Sequence, residues 1–207
     1  MPPEEIYEPT VSVIVPVINA EKTIRPLLDS LTEIDYDKRK VEIIIVDGGS
    51  KDRTRDIVQQ YPVKLVLEER RGLNVARNIG VKRSSGAIVL FTDSDCAVPK
   101  DWIRTTVKNF MDPEVGCVGG SVLRYEDTFL SIYADESFMP VLRRFRDREV
   151  LDNVGLLWRY PAGCNMAFRR TAIEKVNWFD EDVHYGFDED ELVERVCNAG
   201  YKMVLDP

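Results

Sequence analysis

Ala87-Ile88-Val89-Leu90-Phe91-Thr92 runs directly into Asp93-Ser94-Asp95, and this stretch sets the reading of the whole chain. A short, unbroken apolar run is the pattern of a strand covered on both faces, as in a parallel sheet with helices above and below it. Acids at i and i+2 of the strand end send both carboxylates to the same side. Two carboxylates so placed make a hard oxygen site that suits Mg²⁺ or Mn²⁺, and such an ion can hold a diphosphate. Asp-Ser-Asp is also an ordinary acidic turn, so the flanking sequence has to decide between the two.

Upstream, Val11-Ser12-Val13-Ile14-Val15 reads as a β-branched strand, with Pro16 ending its ladder. Glu21 to Leu31 reads as a helix with Ile24, Leu27, Leu28 and Leu31 on one face and Asn19 placed to cap it. Val41 to Val46 is a second strand, followed by the turn Asp47-Gly48-Gly49-Ser50 and a helix from Asp52 to Gln60. Val63 to Leu67 and Leu73 to Lys82 repeat the alternation. This order predicts an α/β fold, one domain, with a mostly parallel central sheet and helices on both faces. Ligands of such sheets lie beyond the carboxyl ends of the strands. Pro16 to Asn19, Asp47 to Ser50 and Asp93 to Asp95 all fall on that edge. No Gly-x-Gly-x-x-Gly follows the first strand and no phosphate-binding Gly-x-x-x-x-Gly-Lys is present, which argues against a dinucleotide fold and a P-loop.

The second half predicts a strand over Val115 to Leu123, whose Gly119-Gly120 admit a close backbone or ligand. Ala162 to Phe168 reads as a strand and Arg169 to Val176 as a helix. A helix from near Asp190 to Ala199 is stopped by Gly200 and followed by a strand from Tyr201 to Leu205. We divide residues 1–207 into a nucleotide-binding half, about 10–100, and an acceptor-binding half, 101–207.

The chain has 207 residues, 44% apolar, with a formal net charge of −8, which argues against a nucleic-acid partner. Cys96, Cys117, Cys164 and Cys197 form no Cys-x-x-Cys pair, so a zinc ribbon and a dithiol redox motif are not expected. The N-terminus lacks a signal-peptide pattern and no apolar segment approaches the ~20 residues that span a bilayer. The expectation is a cytoplasmic domain. The end at Asp206-Pro207, directly after a strand, predicts a longer natural chain, which would place the domain at the cytoplasmic face of a membrane if membrane helices follow.

These residues resemble the family-two glycosyltransferases with the A-type nucleotide-diphospho-sugar fold, over nearly the whole chain. Val11 to Glu21 is similar to the family's opening strand and loop, with Ile18 where Tyr is usual. Glu42 to Thr54 is similar to its second nucleotide loop, with Gly48 in place of an acid. The resemblance implies an inverting, metal-dependent transfer of a sugar from a UDP- or GDP-sugar donor to an acceptor hydroxyl, on a lipid-phosphate or a polysaccharide. By the same resemblance Pro16, Val17, Asn19, Glu21, Asp47, Gly72, Arg77, Asp93 and Ser94 bind the nucleotide, with Asp47 on the base and Asp93 on the ribose. Asp95, helped by Asp93, holds the divalent cation, Mg²⁺ or Mn²⁺. Ala162 to Arg170 resembles a segment on the sugar and acceptor side, which assigns Gly163 and Asn165 there. Trp158, close before Gly163, joins them as an aromatic past which an acceptor could move.

The family's Glu-Asp motif is followed by Leu three residues after the Asp and Arg six after it. Leu192 and Arg195 fit that spacing if Glu189 takes the Asp position and Asp188 the Glu position. Counting from Gly186 makes Asp188 the key acid instead, so the general base is one of Asp188, Glu189 and Asp190, with Glu189 favoured by register. Acids in a first helical turn also serve simply to complement the helix dipole. His184, the lone histidine, reads as a structural residue. Arg143-Arg144-Phe145-Arg146 reads first as a solvated helix face paired with Asp147 and Glu149, and second as a peripheral membrane contact. Two alternatives to the transferase stand: a binding module that keeps the nucleotide pocket without turnover, and a sugar-1-phosphate nucleotidyltransferase. The absence of glycine from Val15-Pro16-Val17-Ile18-Asn19 counts against the second.

Overall fold

The computed structural model describes residues 7–125, 144–153, 160–183 and 186–207. The apolar runs form β1 (Val11–Val17), β2 (Val41–Asp47), β3 (Lys64–Leu67) and β4 (Ile88–Phe91), joined through α1 (Ile24–Thr32), α2 (Thr54–Val58) and α3 (Leu73–Lys82). Then come α4 (Trp102–Val107), β5 (Val115–Gly120), β6 (Glu149–Leu151), β7 (Met166–Arg169), α5 (Arg170–Lys175), α6 (Asp188–Asn198) and β8 (Lys202–Asp206).

The strands form one eight-stranded sheet in the order β3-β2-β1-β4-β7-β5-β8-β6. Pairs β1/β2, β1/β4, β2/β3 and β5/β8 are parallel, while β7 runs antiparallel to both β4 and β5, and β6 is antiparallel to β8. Strand alternation explains why the central runs are apolar throughout. On β1, Val11, Val13 and Val15 enter one core with Leu27, Leu28, Leu31 and Ile103, whereas Ile14 enters the other. On β4, Ile88 and Leu90 face the first core while Val89 and Phe91 face the second. Phe91, Phe168 and Phe179 meet edge to face in the second core, with centroids 5.3 to 6.4 Å apart.

Three local expectations are corrected. Pro16 lies inside β1, opposite Val46, and does not end the strand. Ile14 O accepts from Thr92 on the β4 side and Val17 O accepts from Gly48 on the β2 side. By the two-residue period Pro16 turns its nitrogen toward β4, whose pairing with β1 has ended by then, so the missing donor costs no ladder bond. Asn19 does not cap α1, whose N-cap is Thr23 without a side-chain bond. α6 begins at Asp188, two residues earlier than its apolar pattern shows, because its first turn is wholly acidic. Phe145 is partly buried against the second core, and its N–H donates to Ser121 Oγ at 2.9 Å. Arg143, Trp158 and His184 lie outside the described residues. Among the described residues no helix is long and apolar enough to cross a membrane.

Gly80 shows how tightly α3 sits on β1. A Cβ there would overlap Ile14 Cγ2, and Ile14 is fully buried. Gly80→Ala is expected to lower stability by ~1–3 kcal/mol through overpacking, despite the ~1 kcal/mol advantage of Ala in a helix. Urea unfolding should show a lower midpoint at unchanged slope; an equal or higher midpoint would show that Ile14 yields freely.

Candidate active site

The carboxyl ends of β1, β2 and β4 meet at one edge of the sheet, as the parallel register requires. Here the loops after β1 and β2 are fastened to each other. Asn19 N–H donates to Ser50 Oγ at 2.9 Å and its Oδ1 accepts from Lys51 N at 2.8 Å. Ala20 N–H donates to Thr54 Oγ1 at 2.7 Å, and Glu21 pairs with Arg53 at 3.3 Å. Asn19 adopts φ 50, a left-handed conformation that Asn tolerates better than most residues. Asn19 and Glu21 therefore hold the shape of this edge of the sheet through loop-to-loop bonds.

Asp47 closes β2 and is wholly buried. Its Oδ1 accepts from Gly49 N, Ser50 N and Arg55, at 3.1, 2.9 and 2.7 Å. Burial by itself would raise this carboxyl, but the bonds from Ser50, Arg55 and Gly49 outweigh it and hold the group below the ordinary carboxylate range. Oδ2 is buried and without a partner. Asp47 thus organises the Gly48–Ser50 turn.

The second cluster joins β4 to the far half of the chain. Arg77, on α3, is 1% exposed, and its guanidinium is directed at Asp188 on the first turn of α6 rather than at open solvent. It also donates to Asn74 Oδ1 at 3.4 Å and lies 5.1 Å from the Phe179 ring centroid. Asn74 and Asn78, on the same helix, bond the backbone of Asp180 and Phe179 at 2.9 Å each, which docks the 179–183 segment on α3. Gly72, with φ 140, starts α3 in a conformation that glycine alone adopts easily.

Asp93 senses this cluster directly. Desolvation pushes its carboxyl up, Arg77 opposes the rise, and Asp95 and Asp188 add to it. Asp95 is exposed at the rim and Ser94 lies between them, half-buried. Glu189 is half-buried, and its carboxyl is pushed up to about 7, first by desolvation and then by the negative charge of Asp188. Three consecutive acids on α6 thus differ in setting: Asp188 is 7% exposed and ion-paired, while Glu189 is only partly covered, as is Asp190.

Gly163 completes the cluster. A Cβ at this position would overlap both Arg77 Nη2 and Glu189 Oε1, so the turn before β7 presses on the two groups that α3 and α6 contribute. Asn165, two residues on, is bonded at both ends of its amide, accepting from Trp102 Nε1 at 2.9 Å and donating to Ser121 O at 2.8 Å. Gly119 and Gly120 make this possible: a Cβ on Gly119 would lie 2.9 Å from Pro161 Cα, and one on Gly120 would overlap Asn165. The sequence reading of those glycines as a place of close backbone approach matches this contact. The links that sequence reasoning missed are Asn74, Asn78, Trp102 and Phe179. Each is a polar or aromatic residue inside an apolar pattern, and only the tertiary contacts give it a partner.

The acidic pair, the cation Arg77 and the acids of α6 therefore share one edge of a sheet whose order and crossovers define an A-type nucleotide-diphospho-sugar transferase fold. The family model described as glycosyl transferase family 2 matches residues 12–176, and the chain belongs to that family. Glycosyltransferase AglE of Haloferax volcanii is 31% identical over 206 residues, covering 95% of this chain and 64% of AglE. Mannosyltransferase PcManGT of Pyrobaculum calidifontis, solved in complex with GDP-Man and Mn²⁺, superposes with a TM-score of 0.75 at 29% identity, covering 97% of this chain and 55% of that one. Staphylococcus aureus TarS, residues 1–349 in complex with UDP-GlcNAc, gives a TM-score of 0.71 at 23% identity, covering 95% of this chain and 55% of that one, and speaks for the fold alone. The chain spans about half to two thirds of the length of these relatives.

Proposed function

We propose that this chain is the catalytic domain of an inverting glycosyltransferase that moves a sugar from a UDP- or GDP-sugar to an acceptor hydroxyl with a divalent cation bound. The observation that carries the reading is the electrostatic joining of Asp93, at the end of β4, with Arg77 and with Asp188 at the start of α6, beside Glu189. Donor-side and acceptor-side chemistry would then meet in one place.

Asp93 and Asp95 are the residues that would hold the cation. Among the described residues no group of three or more His, Cys, Asp or Glu side chains could hold a metal ion. Two carboxylates nevertheless fit Mg²⁺ or Mn²⁺, which commonly bind through one or two carboxylates and complete their shell with substrate phosphates and water. The Asp93 carboxyl is raised first by desolvation and then, against Arg77, by the charges of Asp95 and Asp188, and a cation would relieve the contribution of those two acids. When bound, the cation neutralises charge developing on the departing diphosphate.

The acceptor hydroxyl attacks the anomeric carbon from the face opposite the diphosphate, and its proton passes to Glu189. Asp188 is tied to Arg77, which holds it in place and leaves it less free to take that proton. The bond from oxygen to the anomeric carbon forms as the bond to the diphosphate breaks, with no covalent enzyme intermediate. Gly163 leaves room for Glu189 beside Arg77, and Asn165, fixed by Trp102 and Ser121, sets the position of that turn on the acceptor side. Pro16, Val17, Asn19 and Glu21 shape the nucleotide wall opposite Asp47, while Gly72 starts the helix that carries Arg77.

Calorimetric titration with UDP and with GDP, with and without Mn²⁺, tests this reading. Binding of one nucleotide that requires Mn²⁺ and weakens at least ~10-fold in Asp95→Ala is expected, the loss of a charge-assisted metal contact being worth about 1.4 kcal/mol or more. Equal affinity in the parent and in Asp95→Ala, with Mn²⁺ present, would remove the acidic pair from the site.

A further inference from the structure

A cleft of about 450 Å³ opens between α3, α6 and residues 176–181, and none of Asp93, Asp95, Gly163 and Glu189 lines it. Its size is that of a small-molecule site. The wall at Asn177-Trp178 is held in a conformation that side chains of this bulk avoid, with φ angles of 61 and 63. Arg195 fixes that wall from α6, donating to Trp178 O at 2.8 Å and also to Val176 O. Backbone strain persists only where the surroundings impose it, and it gathers at ligand sites. The polar groups of the cleft divide into engaged and available. Both oxygens of Glu191 accept from Arg195, at 2.5 and 2.6 Å, and those of Glu181 accept from Asn78 and Arg70, each at 3.1 Å. The Trp178 indole N–H, by contrast, is buried and has no hydrogen-bond partner among the described residues. Lys82 Nζ stands over that ring, 4.4 Å from its centroid, and exposed Asp180 has one oxygen engaged by Asp182 N–H at 2.9 Å.

We propose that this cleft is an accessory saccharide site that binds a neutral pyranose apart from the transfer centre. The charges left to a ligand, the Lys82 ammonium and the Asp180 carboxylate, cancel, so a neutral molecule suits the cleft best. A phosphate would meet the carboxylates of Asp180, Glu181 and Glu191, and a cation would meet Lys82 and Arg195. Hydroxyl groups donate and accept at once, so the hydroxyls of one ring answer the indole N–H, the ammonium and the carboxylate together. Filling the place beside a buried, unpaired N–H gains more than the same bond at an open surface, because the donor has already lost its water. Val176, Trp178 and Phe179 supply the apolar wall on which the C–H face of a sugar ring packs.

Indole N–H signals in proton–nitrogen correlation spectra of the whole folded chain test this. The chain has three tryptophans, Trp102, Trp158 and Trp178. The Trp178 signal is identified by its loss in Trp178→Phe and by its displacement in Lys82→Ala, a change at an exposed residue. Titration with the methyl glycosides of glucose, mannose, galactose and N-acetylglucosamine, without nucleotide or cation, is expected to shift that signal saturably for at least one of them, with a Kd of ~1 mM. Lys82→Ala should weaken the binding at least ~10-fold, through loss of a hydrogen bond from a charged donor. The inference is overturned if no glycoside moves the Trp178 signal, if Lys82→Ala binds as the parent does, or if inorganic phosphate or glycine moves the signal where the glycosides do not. A glycoside that moves only the Trp102 signal, whose N–H is bonded to Asn165, binds at the transfer centre and overturns it equally. The readout requires no turnover, so its failure is distinct from failure of the transferase reading.

Discussion

Glu189→Gln is expected to slow sugar transfer by ~10²–10⁴-fold while leaving Mn²⁺-dependent nucleotide binding in place, because it removes a proton acceptor and keeps the shape of the side chain. The pH profile supplies a second and sharper test. The Glu189 carboxyl sits at about 7, raised by desolvation and by Asp188, so its basic form predominates above that value. The value of kcat/KM, which reports ionisation of the free enzyme, should therefore fall by roughly tenfold per pH unit on going down through 7 and level off above it. In Glu189→Gln this limb should vanish from whatever activity remains. An undiminished rate in the variant, or a parent profile that stays flat down to the ordinary carboxylate range, would move the base to Asp190 or elsewhere.

Arg77→Ala should cost ~3–5 kcal/mol of folding stability, because it leaves Asp188 with its charge buried and unanswered. Both groups are nearly inaccessible, and Arg77 is also stacked on Phe179. Urea unfolding of the parent, Arg77→Ala and the double variant Arg77→Met/Asp188→Leu separates the charge from the packing. The double variant should recover most of the loss, since replacing both partners with apolar groups removes the stranded charge. A loss in Arg77→Ala below ~1 kcal/mol would place this ion pair with the exposed kind, which contributes little. Neither variant is expected to be active, because Arg77 and Asp188 set the surroundings of Glu189.

The parallel core was legible because β1, β2 and β4 are apolar on both faces, and a strand of that kind needs helices on either side. The edge carrying Asp47 and Asp93 followed from the same topology. What escaped the reading has physical causes. β7 gave no sign of its direction, because Met166-Ala167-Phe168-Arg169 has the same apolar character whichever way it runs. β6 is three residues long and half-exposed, too short for its pattern to stand out. Three neighbouring acids in Asp188 to Asp190 could not be ranked in sequence, since their difference arises in part from Arg77, which lies more than a hundred positions away and forms its ion pair with the first of them.

That placement of β7 also bears on how the chain can be cut. In the first half of the chain, to near residue 100, β4 is the outermost strand on that side, with Ile88, Val89, Leu90 and Phe91 all buried. Its partner there, β7, belongs to the other half and pairs with β5 on its far side. A fragment ending at residue 100 would present four apolar residues on an open, unprotected sheet edge, the kind of surface that recruits a second copy of itself. The two halves share the β4–β7 seam and the contacts of α3 with Phe179, Asp180 and Asp188, so they are poor candidates for exchange as separate modules. A chimera would have to carry β7 along with whichever β4 it was packed against.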